Sequence, residues 1–247
     1  MKQEILNNFE AFDKQWPDDM RGAFDTLSSE TVQFELSYIR ICCVQAWREM
    51  FIDAGLSGAV MSFLTEAQND LLMSHCLARV GGFRSSLKSL RACIENFYFF
   101  GYYAEHPVEM ARWKLGEHRM SFSDLHSYFE VHPDLKPFPI AATSLATLKK
   151  EYATLSKAIH GSDVAFQMTA QSDSINLWSA DPAGVGKWKS REASVIAAVV
   201  SILATLHRAK LQGTSRLGLR QLMKLALPLS VQARIKNQLN INLPAVS

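Results

Sequence analysis

The spacing of apolar residues restricts this chain more than any other feature. Through most of its length they recur at steps of three and four, the period of a helix with one buried face. Little interrupts them, for the 247 residues include only 12 Gly and 8 Pro. The expectation is an all-α protein. Candidate helices cover residues 2–12, 31–54, 65–103, 108–115, 121–131, 145–160 and 192–211, with a last one near 216–238. Gly81-Gly82 is where the long third segment can divide in two, and Ser121 and Ser144 stand where N-caps are needed. His106-Pro107 and His132-Pro133 mark helix ends, because proline disfavours helical geometry in the residue before it. Each follows an aromatic pair, Tyr102-Tyr103 or Tyr128-Phe129.

Residues 167–189 break the pattern. They are rich in polar and turn-forming types and read as a loop or short hairpin inserted between helices. The division expected is a helical bundle over 1–192, then a core helix and a basic helical tail over 193–247. The apolar run 193–206 is shorter than the roughly 20 residues that span a bilayer. An apolar content of 48% with 14 Phe, 5 Trp and 6 Tyr excludes a disordered chain. The cysteines Cys42, Cys43, Cys76 and Cys93 have neither disulfide-scaffold nor zinc-finger spacing, and residues 1–19 are polar and acidic, unlike a signal peptide. Free thiols in a cytoplasmic protein are expected.

Charge is placed unevenly. All 24 acidic residues lie at or before Glu192; after it come Arg208, Lys210, Arg216, Arg220, Lys224, Arg234 and Lys236 with no acid. A tail of +7 behind a body of −5 suits an anionic partner such as nucleic acid, an acidic protein or a membrane surface, and equally suits neutralising the acidic body itself. For the membrane alternative the amphipathic stretch 216–238 is the relevant segment, although Pro228 argues against one continuous helix there.

Two helical stripes hold the chemistry. Arg84, Lys88, Arg91, Glu95, Tyr98 and Tyr102 follow one another at three- and four-residue steps and share a helix face, while Leu87, Leu90, Ile94 and Phe97 lie on another. Three cations, a carboxylate and two phenols suit a phosphate-binding groove; a solvated face with an Arg91–Glu95 ion pair is the alternative. The second stripe is Tyr152, Ser156 and His160 in "EYATLSKAIHGS", with Lys157 beside it and Gly161 placed to end the helix. Histidine titrates near neutral pH and serves as a general acid or base, or it can cap the last carbonyls of its helix. His106, His118, His126 and His132 lie among Glu105, Glu109, Glu117, Asp124 and Glu130 without metal-ligand spacing, so no metal and no cofactor is expected. There is no nucleophile-elbow, Walker or dinucleotide-binding motif.

"FRSSLKSLRACIENFYFFGYYAEHPVE" followed by "YATLSKAIHGS" resembles the HEPN-like helical proteins of bacterial toxin–antitoxin and antiphage systems, over roughly residues 71–162. The resemblance implies an up-and-down helical bundle, a homodimer with a polar cleft near its axis, and in active members a metal-independent ribonuclease using an Arg and a His. It assigns Arg91, His160 and Ser156 to catalysis. Arg84, Lys88 and Lys157 are then expected to handle phosphates, with Arg216, Arg220, Lys224, Arg234 and Lys236 on the tail; RNA, and an antitoxin or companion defence protein, are the expected partners. The family's usual arginine–gap–histidine signature is absent at His160, which is preceded by Lys157. That leaves three arrangements open: Arg119 with His126, Arg84 or Arg91 converging on His160 in space, or a module without catalysis that binds nucleic acid or a partner protein through its basic tail.

Overall fold

A computed structural model describes residues 1–139, 143–160, 162, 166, 177–213 and 215–245. These are helical throughout, without strands among them: α1 (Lys2–Leu27), α2 (Thr31–Asp53), α3 (Gly58–Arg79), α4 (Phe83–Glu105), α5 (Pro107–Lys114), α6 (Phe122–Val131), α7 (Leu145–His160), α8 (Pro182–Leu206), α9 (Leu217–Ala226) and α10 (Leu229–Leu239), with a single turn at Arg208–Leu211. The all-α bundle expected from periodicity is what forms.

Local signals explain most of the boundaries. Ser121 caps α6 through a reciprocal bond with Asp124, and α5 begins on Pro107, whose missing N–H would be unbonded at a helix start anyway. Gly81-Gly82 does divide the third segment, at a price only glycine tolerates. Gly81 has φ +77°, and a Cβ there would overlap the backbone of Ser179, whose N–H donates to the Gly81 carbonyl at 3.0 Å.

Three boundaries differ from those read off the sequence. Helix α1 continues through Pro17 to Leu27, because Ala23 and Leu27 extend its apolar face into the core. Helix α3 starts at Gly58, seven residues before 65, because Val60, Met61, Phe63 and Leu64 are buried. Residues 182–189 are the first turns of α8, not a loop. Asp181 accepts the Ala183 N–H at 2.9 Å, Pro182 opens the helix, and Val185 and Trp188 are buried on the face that continues into Glu192 and Val195. Asp-Pro-Ala-Gly was thus a helix start rather than a turn. The earlier part of that stretch, 167–176, lies outside the described residues, as does Gly161. The stretch 216–238 is split at Pro228 into α9 and α10, as the proline implied.

Helix α4 runs through the middle, packed by α3, α6, α7 and α8, with α2 bridging α3, α8 and α9. Helix α8, which spans residue 192 without a break, is buried almost continuously from Val195 to Thr205. One ion pair crosses this interior. Arg40 of α2 donates through Nε to Glu192 Oε2 at 2.6 Å, while its Nη2 lies against the same oxygen at an angle that makes no hydrogen bond. Burial raises the Glu192 carboxyl to about 6 despite Arg40.

Two predictions follow from this packing. Gly81→Ala is expected to lower unfolding free energy by about 2 kcal/mol or more, read by urea denaturation, because both the dihedral and the Ser179 contact resist a Cβ. His207 sits edge-on to Phe51 at 4.8 Å, and burial, followed by the Lys210 charge, lowers it from 6.5 to about 4. Between those values it is neutral in the fold and protonated in the unfolded chain, so acidification through that window favours unfolding. His207→Asn is expected to lose stability less steeply than wild type from pH 6.5 to 4; parallel slopes would refute this.

Candidate functional site

Helices α4 and α7 lie side by side, and the two stripes singled out from sequence meet along their seam. Arg91 donates from Nε to Ser156 Oγ at 3.1 Å, from Nη1 to Glu95 Oε2 at 3.2 Å and from Nη2 to the Tyr152 hydroxyl. Tyr152 in turn donates to Glu95 Oε1 at 3.0 Å, and Ser156 donates to the Tyr152 carbonyl one turn back at 2.8 Å. Burial and the Glu95 charge push the Tyr152 phenol up, which keeps its proton on the donor side of that bond. The ring stacks on Phe122 of α6 at 3.5 Å and 5°, and the Arg91 guanidinium lies over it at 4.6 Å. Four side chains, two from each helix, therefore form one closed and half-buried network.

Arg84, two turns earlier, donates from Nε to the Ala158 carbonyl at 3.0 Å and from Nη2 to that of Ile159 at 3.4 Å. It caps the C-terminus of α7, where a cation also meets the negative end of the helix dipole. The capping role considered for His160 belongs to Arg84. His160 is exposed on the last turn and has no hydrogen-bond or ion-pair partner among the described residues. Lys88, between Arg84 and Arg91 on the same stripe, and Lys157 are both exposed.

The stripe does not continue as a polar groove. Tyr98 is 0% exposed and lines no surface, and Tyr102 is only 9% exposed. The reason is α6, whose Phe122, His126 and Phe129 pack on Tyr98. Tyr102 instead stacks on His106 at 4.1 Å and meets Tyr128 edge-on at 5.1 Å. The two aromatic-pair-then-His-Pro segments thus pack on each other. Glu105 closes that contact, accepting from Tyr128 and from His132 Nε2 at 3.0 Å; partial burial opposes ionisation, but those bonds hold its carboxyl below the usual range. His126 is 2% exposed, with Nδ1 2.8 Å from the Tyr98 hydroxyl and Nε2 3.2 Å from Glu130 without hydrogen-bond geometry. Arg119 is exposed, so that arginine and the His126 ring share no open surface.

The tail is folded rather than free. Arg216 pairs with Asp53 of α2 at 2.6 Å; Arg220 is buried and donates to the carbonyls of Ser215 and Asn242 at 3.0 and 3.1 Å. Lys224 and Arg234 are half-buried and Lys236 is exposed. Of the apolar residues of 216–238, Leu219, Met223, Val231 and Ile235 are turned into the protein, while Leu217, Leu225 and Leu229 are exposed. No described helix is long and apolar enough to cross a membrane, and no described group of three or more His, Cys, Asp or Glu could hold a metal ion. The described cysteines are free thiols.

A second polar cluster escaped sequence reading. At neutral pH Ser37 donates to Glu192 Oε1 at 3.1 Å, so its oxygen accepts from His75 Nδ1–H at 3.0 Å. The signal was a lone Arg40 inside the apolar run "YIRICCV", which demands a buried counter-charge.

Compared with models of known protein families, with characterised proteins and with solved structures, the chain matches none.

Tyr152→Phe preserves the Phe122 stack and removes the hydroxyl that links Arg91 to Glu95. A loss of about 1–2 kcal/mol is expected in chemical denaturation; unchanged stability would mean that the network contributes nothing to the fold.

Proposed function

We propose that this chain is a cytoplasmic RNA-acting protein of the HEPN-like kind, a metal-independent endoribonuclease serving as effector in a bacterial defence or toxin–antitoxin system. One observation carries the reading: Arg91 and Ser156, 65 residues apart in sequence, are bonded directly, with His160 exposed one turn beyond Ser156 on the same stripe. A histidine at that edge can take the proton of a ribose 2′-hydroxyl as its oxygen attacks the adjacent phosphorus. The 5′-oxygen leaves with a proton, giving a 2′,3′-cyclic phosphate and a 5′-hydroxyl. Lys88 and Lys157, exposed on the two helices, supply positive charge for the phosphate. Arg91 has its donors committed to Ser156, Tyr152 and Glu95, so in this reading it is a positioning residue that holds α7 and its terminal turn against α4.

The alternative, a non-catalytic module binding through the basic tail, is less well supported because Arg216 and Arg220 are occupied within the fold. The test is incubation of the purified protein with mixed cellular RNA, with and without a chelator, beside His160→Ala. Expected are chelator-resistant fragments ending in cyclic phosphate, at least about 100-fold fewer in the variant, whose folding transition is unchanged. Full cleavage by His160→Ala would remove His160 from the chemistry. No cleavage, with salt-sensitive RNA binding lost on neutralising Lys224, Arg234 and Lys236, would favour the binding module.

A further inference from the structure

The first half of helix α1 is an exposed arm, and Phe12, Gln15 and Trp16 at its end border a cleft opposite Leu177, Trp178 and Ala180. Residues 1–15 are all exposed, and only Ala23 and Leu27 of the helix are buried. Yet the exposed part carries an apolar stripe: Ile5, Phe9, Phe12 and Trp16 follow steps of four, three and four, the spacing of a seam between two helices. Ile5 and Phe9 are each 60% exposed and Phe12 is 53% exposed; Trp16 is half-buried. Leu6 flanks them at 44%. A lone helix of this length is marginal in water without packing against a partner, and large aromatics in a row are costly to leave wet.

We infer that α1 pairs antiparallel with α1 of a second copy of this chain, burying the stripe in a symmetric two-helix seam. The stripe is complementary to itself in that orientation. With the two-fold axis between Glu10 and Ala11, Phe9 faces Phe12 of the second copy and the small Ile5 faces the large Trp16, so every apolar position meets another. Charge selects the same orientation. Residues 2–9 hold Lys2 and Glu4, whereas residues 10–19 hold Glu10, Asp13, Asp18 and Asp19 against Lys14 alone. A parallel pair sets two acidic halves side by side; the antiparallel pair sets each against a neutral half and brings Lys2 opposite Asp19. Asp18 is already engaged with Arg21 at 3.0 Å. Because every residue as far as 15 is exposed, the two bodies sit at opposite ends of the seam. The inference does not depend on what the α4–α7 seam does.

Sedimentation equilibrium of the full chain tests it. Wild type is expected to show a concentration-dependent monomer–dimer equilibrium. Phe9→Glu with Phe12→Glu is expected to associate at least about 100-fold more weakly, since four aromatic side chains leave the seam. Its thermal transition should stay in place, because Phe9 and Phe12 are both more than half exposed in the monomer. Lys2→Glu alone should weaken the dimer, and adding Asp19→Lys should restore it. A wild type that stays monomeric, or a Phe9→Glu, Phe12→Glu variant that still dimerises, overturns the proposal. Failure of the double charge reversal to restore association overturns the antiparallel register.

Discussion

Helix α4 is surrounded. With α3, α6, α7 and α8 all against it, its middle and C-terminal part is buried or half-buried as far as Ala104, so the polar groups it carries there take partners on neighbouring helices. Arg84 finds the carbonyl ends of α7; Arg91 and Glu95 find Tyr152 and Ser156; Asn96 finds Asp70 of α3 at 2.9 Å; Tyr98 finds His126. These bonds are directional, and they set the register of the helices that supply them. The position of α7, and with it that of His160, follows from what α4 must satisfy.

A second interior demand comes from Arg40 and Glu192. An ion pair in an apolar interior costs desolvation that its own attraction barely offsets, but losing one partner costs about 3–5 kcal/mol. It therefore acts as a constraint: α2 and α8 fit together only where the two charges meet. Ser37 and His75 extend that constraint to α3. The buried thiols Cys43 and Cys93 lie in the same interior, where burial pushes both well up and keeps them protonated.

Much of this was legible in one dimension. Helical periodicity, the Ser121 cap, the Gly81-Gly82 break and the two His-Pro ends are local properties, and local physics decides them. The Arg91–Glu95 and Tyr152–Ser156–His160 stripes were visible because residues three and four apart share a face. Tyr98 and Tyr102 were misplaced by the same rule. Periodicity says that they share a face with Arg91 and Glu95, but not that α6 covers the end of that face. The Asp181-Pro182 start of α8 was hidden because the residue types that open a helix are also those that make turns.

The sequence by itself determined the all-α class, most of the helices and which residues lie on one stripe, since these depend on neighbours within about four positions. Only the tertiary structure decided that Arg91 bonds across to Ser156, that Arg84 rather than His160 caps α7, that Arg220 of the basic tail is buried while residues 1–15 of α1 are exposed, and that Arg40 is answered by Glu192 152 residues away. Those are outcomes of packing, in which a buried polar group must be satisfied by whatever helix comes alongside. No local pattern states which helix that will be.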